Sequence, residues 1–307
     1  MEFNKSIRNS SHKNSHQNYY EWWYFHFISK EYGVFNIVLH ETDIFGIDKN
    51  SYYSATLFNK NNDKPVYLKG KETNFDIDLT GNYLLTDHGL FSEDKSSLNI
   101  NLEFTNGMKI IGKIDKSQSS PVMLSNGVLY SNDEGFGMWV PQFINSEFEL
   151  EITTVDGDIS KISGIAYHDH QWGNCQIQNA VNCWNWGHLV GEKEAIVFFK
   201  VLLNNGSTVD RYIIWDGNMT SCGVDAVSSD FMRNFKLERL EGHSQKVNLC
   251  LGLDHKIKYR QDINSIMRKR INEKIGTKHM NYIRWYVSGN IDNNIELNGV
   301  AEYMSFI

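Results

Sequence analysis

Apolar and polar residues alternate with a period of two along much of this chain, in short runs closed by turns that contain glycine or asparagine. That period puts successive side chains on opposite faces of an extended strand, so it predicts β structure. Residues 99–104, the Asn106-Gly107 pair and residues 108–114 read as two strands joined by a hairpin turn. Residues 147–155, Asp156-Gly157 and residues 158–170 read the same way. Tyr32-Gly33, Asn205-Gly206, Asp216-Gly217 and Asn298-Gly299 mark further turns, at the spacing of an antiparallel barrel or sandwich. One segment changes period. Ile263, Ile266, Met267, Ile271 and Ile275 follow helical spacing, with Asp262 placed to cap the start and Gly276 to end it. Its basic residues Arg268, Lys269, Arg270 and Lys274 read as a solvated outer face. The expected fold is mainly β, with one short helix in the C-terminal half.

The pattern also repeats. Trp23, Lys30-Glu31, Val34-Phe35 and Val38-Leu39 recur as Trp186, Lys193-Glu194, Val197-Phe198 and Val201-Leu202, at a constant offset of 163. Each copy is a Trp-led strand, a polar turn and an apolar strand, which predicts two similar β domains in succession. The expected organisation is a disordered polar arm over residues 1–17, a first β domain over 18–178 and a second over 179–307. Chains of this length bury a substantial core in either one or two domains.

Composition narrows the partners. Aromatic residues make up 13% of the chain, enough to line a large apolar pocket. The net charge is −7 and no basic stretch is interleaved with aromatic residues, so nucleic acid is not an expected partner. No run of 18 apolar residues occurs, which excludes a spanning helix and stable membrane insertion of that kind. The first 18 residues carry no secretory h-region, and the four cysteines form no CxxC pair, so a cytoplasmic protein with free thiols is expected. GxGxxG, GxxxxGK[ST] and GxSxG are all absent, which leaves phosphate-loop, dinucleotide and Ser-His-Asp chemistry without support.

The densest chemistry is GIAYHDHQWGN, residues 164–174. On a strand, Tyr167, Asp169 and Gln171 share one face, and His168, His170 and Trp172 share the other. The histidine face admits a metal reading in which His188, Cys175 or Cys183 adds a third ligand. Zinc needs three or four groups converging at about 2.0 to 2.3 Å, and spacing supplies two. His168 and His170, with Gln171 and Trp172, are therefore read as scaffold, and no metal is expected. The other face admits a proton reading. A carboxyl enclosed by aromatic rings is disfavoured as an anion, so Asp169 could act as an acid with Tyr167 sharing its proton. Pairing of an ionised Asp169 with an arginine is the alternative on that face. Trp22, Trp23 and Tyr24 in one segment, Trp139 in a second, and Trp184, Trp186 and His188 in a third are the expected walls of a cavity for a hydrophobic small molecule.

Glu21-Trp22-Trp23-Tyr24-Phe25, the run from Gly164 to Gly173, Trp184-Asn185-Trp186-Gly187 and the run from Gly299 to Met304 together resemble the lipocalin-like carotenoid 1,2-hydratase and AttH family. The resemblance implies two lipocalin-like β-barrel or sandwich domains with a ligand cavity near their junction. It also implies a cofactor-free enzyme class that includes carotenoid and kievitone hydratases, natural-product Diels-Alderases and terpenoid cyclases. The family's Tyr-x-Asp proton-handling pair maps onto Tyr167 and Asp169. Of a His and Trp two apart upstream, Trp139 matches and the histidine has no counterpart in Met138-Trp139-Val140-Pro141. Without that relay, acid-assisted cyclisation or isomerisation of a terpenoid, polyene or polyketide in natural-product biosynthesis is the expected activity. Hydration of an isolated C=C bond and non-catalytic carriage of a lipophilic ligand are the alternatives.

Overall fold

A computed structural model of the chain describes residues 12, 18–42, 51–59, 66–70, 76–77, 83–86, 89–94, 96–116, 127–217, 220–224, 227–229, 235–237, 249–259, 280–291 and 295–306. The chain forms two compact units, residues 1–123 with 137–174, and residues 124–136 with 175–307.

The strands as far as Gly173 are β1 (Tyr20–Ser29), β2 (Gly33–Thr42), β3 (Tyr52–Asn59), β4 (Val66–Lys69), β5 (Asp76–Ile77), β6 (Tyr83–Thr86), β7 (Gly89–Glu93), β8 (Ser97–Glu103), β9 (Lys109–Asp115), β10 (Val128–Asn132), β11 (Gly135–Thr153) and β12 (Ile159–Gly173). Apart from β10, which falls in the second unit, they make a sheet of order β4-β3-β2-β1-β12-β11-β9-β8-β7-β6-β5. The predicted hairpins are present as β8–β9 and β11–β12, and their turn glycines Gly107 and Gly157 both take φ of +88°, a conformation glycine adopts without steric cost.

β1 lies in the middle of this sheet, between β2 and β12, and its sequence YEWWYFHFIS suits a strand covered on both sides. One face carries Trp23, Phe25 and Phe27 into an apolar core with Phe35, Ile37 and Leu39 of β2, Phe148 of β11 and Ala166 of β12. Phe27 stacks on Phe35 with ring centroids 4.3 Å apart, and Phe148 meets it edge-on at 5.1 Å. Deleting such a ring from a packed core costs about 3–5 kcal/mol. The other face carries Trp22, Tyr24 and His26, opposite Gln171, Asp169 and Tyr167 respectively. Gly164 lets β12 close against β1, because a Cβ there would sit 2.0 Å from the Ile28 carbonyl oxygen.

The second unit contains a short helix α1 (Ile177–Ala180), then β13 (Val181–Val190), β14 (Ala195–Leu203), β15 (Thr208–Trp215), β16 (Thr220–Val224), β17 (Val227–Ser229), β18 (Phe235–Leu237), β19 (Leu249–Tyr259), β20 (Met280–Ile291) and β21 (Ile295–Phe306). Its sheet order, β16-β15-β14-β13-β21-β20-β19-β18-β17, repeats the plan of the first, with the leading strand between its successor and the closing strand. The repeated segments are the β1–β2 and β13–β14 hairpins. Their registers differ: Trp23 faces Leu39, whereas Trp186 faces Phe199, three residues before the Leu202 that a constant offset requires. Asn298-Gly299 is not a turn but lies within β21, where a Cβ on Gly299 would sit 2.0 Å from the His188 carbonyl oxygen. Closing strands in both units thus use a glycine to approach the leading strand. The helix expected over residues 262–276 lies outside the described residues, and the short helix observed, α1, stands elsewhere.

Candidate active site

Three strands assemble the polar cluster. Cross-strand partners share a face, and the register sets Gln171 opposite both Trp22 of β1 and Trp139 of β11, and Asp169 opposite both Tyr24 and Pro141. Proline offers the ladder no N–H, and the β11–β12 register shifts immediately after it, a bulge that re-aims the strand beside Asp169. The Tyr167 hydroxyl donates to Asp169 Oδ2 at 2.5 Å. Trp139 Nε1–H lies 3.0 Å from the Tyr167 hydroxyl and 3.1 Å from Asp169 Oδ2, so one indole bridges both oxygens. Gln171 Nε2 donates to Asp169 Oδ1 at 3.1 Å. Asp169, Tyr167 and Trp139 are buried, and Tyr24 meets the Tyr167 ring edge-on at 6.3 Å. Both carboxylate oxygens therefore face neutral donors, the phenol across a short hydrogen bond.

The opposite face of the same strands is a scaffold of rings. His168 stacks on Phe25 at 4.0 Å and its Nδ1–H donates to the Tyr24 carbonyl oxygen at 3.0 Å. Burial pushes His168 down to about 3, against the upward pull of that hydrogen bond, so the ring is neutral at pH 7. His170 stacks on Trp23 at 4.6 Å and its Nε2 lies 2.7 Å from Glu21 Oε1. Burial works to raise the Glu21 carboxyl, but hydrogen bonds from His12 and His170 and the charge of His170 outweigh it and hold Glu21 well below the usual carboxylate range. Trp23, expected among the cavity walls, lies instead in the apolar core on the face away from Asp169: it is an odd-numbered neighbour in a strand whose even positions face Asp169. The Trp172 ring stacks on His12 at 3.8 Å, on that same far side.

Trp184, Trp186 and His188 lie in the second unit, on β13 opposite Met304, Glu302 and Val300. Register reveals a parallel that the offset of 163 conceals. Trp22, Tyr24 and His26 match Trp184, Trp186 and His188 as a Trp-x-aromatic-x-His triplet, which places Glu302 where the first unit has Asp169. Glu302 is bonded by Trp184 Nε1 at 3.3 Å, the Tyr282 hydroxyl at 2.7 Å and Arg284 at 2.6 Å. Tyr282 stands opposite Met304 as Trp139 stands opposite Gln171, so both carboxylates take a donor from the same place in the plan. The difference lies in the charge: Glu302 holds a guanidinium, and the groups bonded to Asp169 above are neutral. Glu302, Tyr282 and Arg284 escape sequence reading because no local motif joins residues 18 to 20 apart on neighbouring strands; the Trp-x-aromatic-x-His repeat was the available signal.

Among the described residues, one group of donor atoms could hold a metal ion: His12, Glu21 and His170. It shares His170 with the metal reading of the sequence but none of the other ligands considered there.

No family model matches the chain. Its fold superposes on that of a Nitrosomonas europaea protein named as AttH with a TM-score of 0.69, over 99% of this chain and 96% of that one, at 15% identity. The chain has the AttH-like fold. CghA, solved with and without Sch210972, shares this fold at TM-scores of 0.58 and 0.63 and 9% identity, over 98% of this chain and 94% of that one. Kievitone hydratase from Nectria haematococca shares it at 0.54 and 12% identity, over 93% of this chain and 88% of that one. A 79-residue stretch is 34% identical to the quinolone epoxide rearrangement protein asqO of Emericella nidulans, and the match spans 24% of this chain and 22% of that protein. The all-antiparallel, lipocalin-like β architecture expected from the motifs is the one observed, and no helix among the described residues is long and apolar enough to cross a membrane.

Proposed function

We propose that this protein is an enzyme that binds a hydrophobic, unsaturated small molecule of terpenoid, polyene or polyketide type and cyclises, isomerises or rearranges it. Tyr167 and Asp169 are the proton-handling pair. The observation that carries this reading is the 2.5 Å Tyr167–Asp169 hydrogen bond bridged by the Trp139 indole. A proton held between two oxygens transfers to a substrate oxygen or alkene carbon from either of them, and the indole keeps both in place as charge redistributes. Trp22, Tyr24 and Trp139 supply the aromatic surface on that face, where rings stabilise developing positive charge. Positioning of reacting ends contributes up to about 7–11 kcal/mol, and acid–base assistance about 10²–10⁴-fold, without a redox or organic cofactor. Support from relatives is of two kinds: the name of the partly matching asqO describes an epoxide rearrangement, and the fold is shared with CghA.

The fold shared with kievitone hydratase favours a second reading, addition of water across an isolated C=C bond. The experiment is mass spectrometry of small molecules that co-purify with the protein, followed by incubation of the purified chain with those compounds in ¹⁸O-labelled water. A product of unchanged mass supports cyclisation or rearrangement, and a product heavier by labelled water supports hydration. Compounds bound tightly and returned unchanged would sink both and make the protein a carrier.

A further inference from the structure

His12 lies against β1 and β12 on the sheet face away from Asp169, in a cluster that the proposed reaction does not use. One ligand atom from each of His12, Glu21 and His170 lies within 4.8 Å of the other two. We propose that these three side chains form a binding site for a divalent first-row transition metal ion, zinc in the first instance.

Two imidazoles and a carboxylate are a donor set suited to zinc and its neighbours, with a water completing the coordination. Bonds of about 2.0–2.1 Å at tetrahedral angles separate ligand atoms by roughly 3.3–3.4 Å. His12 Nδ1 already stands 3.3 Å from Glu21 Oε1, whereas His170 Nε2 stands 2.7 Å from the same oxygen and has to open by roughly 0.6 Å. The hydrogen-bond count points the same way. Glu21 Oε1 accepts the His12 backbone N–H at 2.9 Å and also faces both ring nitrogens, three donors for the two lone pairs of one oxygen. An ion among the three takes a lone pair from each ring and from the oxygen, each ring then carrying its proton on the other nitrogen. The backbone hydrogen bond stays.

The supporting shell is built. The Tyr19 hydroxyl donates to Glu21 Oε2 and orients the carboxylate. Trp172 stacks on the His12 ring with an interplanar angle of 3°, and Trp23 stacks on His170 at 10°. Such outer contacts are what hold metal ligands in one rotamer. His170 and Glu21 are fully buried while the His12 side chain is 20% exposed, which gives an ion its way in. A bound ion would clamp residue 12 to β1 and β12, the strands that carry Tyr24 and Asp169 on their other face.

The test uses the full chain stripped with a chelator, then titrated with Zn²⁺ by calorimetry and with Co²⁺ by visible absorption. The expected result is one ion per chain, with the intense ligand-field absorption of a four- or five-coordinate cobalt site. His12→Ala, at a partly exposed position, should keep the fold and lose at least about tenfold in affinity. Glu21→Gln should lose more; if that buried substitution prevents folding, His12→Ala carries the test. Binding should persist in a Cys175→Ser, Cys183→Ser double variant. Absence of stoichiometric binding, binding unchanged in His12→Ala, or binding lost with the two thiols would each overturn the site.

Discussion

Asp169→Asn separates chemistry from architecture at the proposed acid. Asparagine keeps the size of aspartate and one acceptor oxygen. If its oxygen takes the Oδ2 position, it still accepts from the Tyr167 hydroxyl and the Trp139 indole, as Asp169 does at 2.5 and 3.1 Å. Its amide nitrogen then faces Gln171, whose own amide, 3.1 Å away and only partly buried, can turn its oxygen inward. The net change is one exchanged hydrogen bond, so the stability cost should be about 1 kcal/mol. The amide cannot donate a proton as a carboxyl does, so turnover should fall by about 10²–10⁴-fold, or roughly 3–5 kcal/mol on the barrier. Urea unfolding measures the first quantity and initial rates on the compound recovered from the protein measure the second. A folded Asp169→Asn with unchanged turnover would refute the assignment of Tyr167–Asp169 as the proton-handling pair.

Other expectations concern the frame. Gly164→Ala would push a methyl onto the Ile28 carbonyl oxygen, a backbone atom that cannot step aside, and should cost at least about 1–3 kcal/mol in urea unfolding; no loss would mean β12 does not close on β1 as described. Arg284→Met strips the guanidinium from Glu302, which keeps Tyr282 and Trp184; at side-chain exposures of 4% and 13% the loss should be about 3 kcal/mol, and an unaltered midpoint would mean the pair contributes nothing. His40 and His168 are both pushed down to about 3, by burial first, with the Lys69 charge adding to the effect on His40. The unfolded chain takes up these protons below pH 6.5 and the folded chain does not, so stability should fall as pH drops from 6.5 towards 3, by up to about 1.4 kcal/mol per pH unit for each ring. His168→Gln should flatten that slope relative to its own value at pH 7; a slope identical to the parent's would show that His168 titrates normally.

The β character, the β8–β9 and β11–β12 hairpins and the face parity of residues 167–172 were legible because a two-residue period and a glycine at positive φ are local properties of the chain. Local pattern could not say which strands are neighbours. Trp139 stands 28 residues before Tyr167 and reaches it only because β11 pairs with β12 in a register interrupted by the bulge at Pro141. Trp23 looked like Trp22 in sequence, yet the sheet sends one into the core and the other to the Asp169 face. Glu302 lay in the Gly299–Met304 run with no role attached to it, and its equivalence to Asp169 follows from strand order and register.

By itself the sequence determined that the chain forms short alternating strands, that Tyr167 and Asp169 share a face, and that histidines 168 and 170 share the other, since each follows from backbone geometry over a few residues. Only the tertiary structure decided that Trp139 bridges the Tyr167–Asp169 pair, that Glu302 answers to Asp169 in the second unit and that His12 meets Glu21 and His170. Those contacts depend on strand order and register, which are set by the burial of whole sheet faces and not by any neighbouring residues.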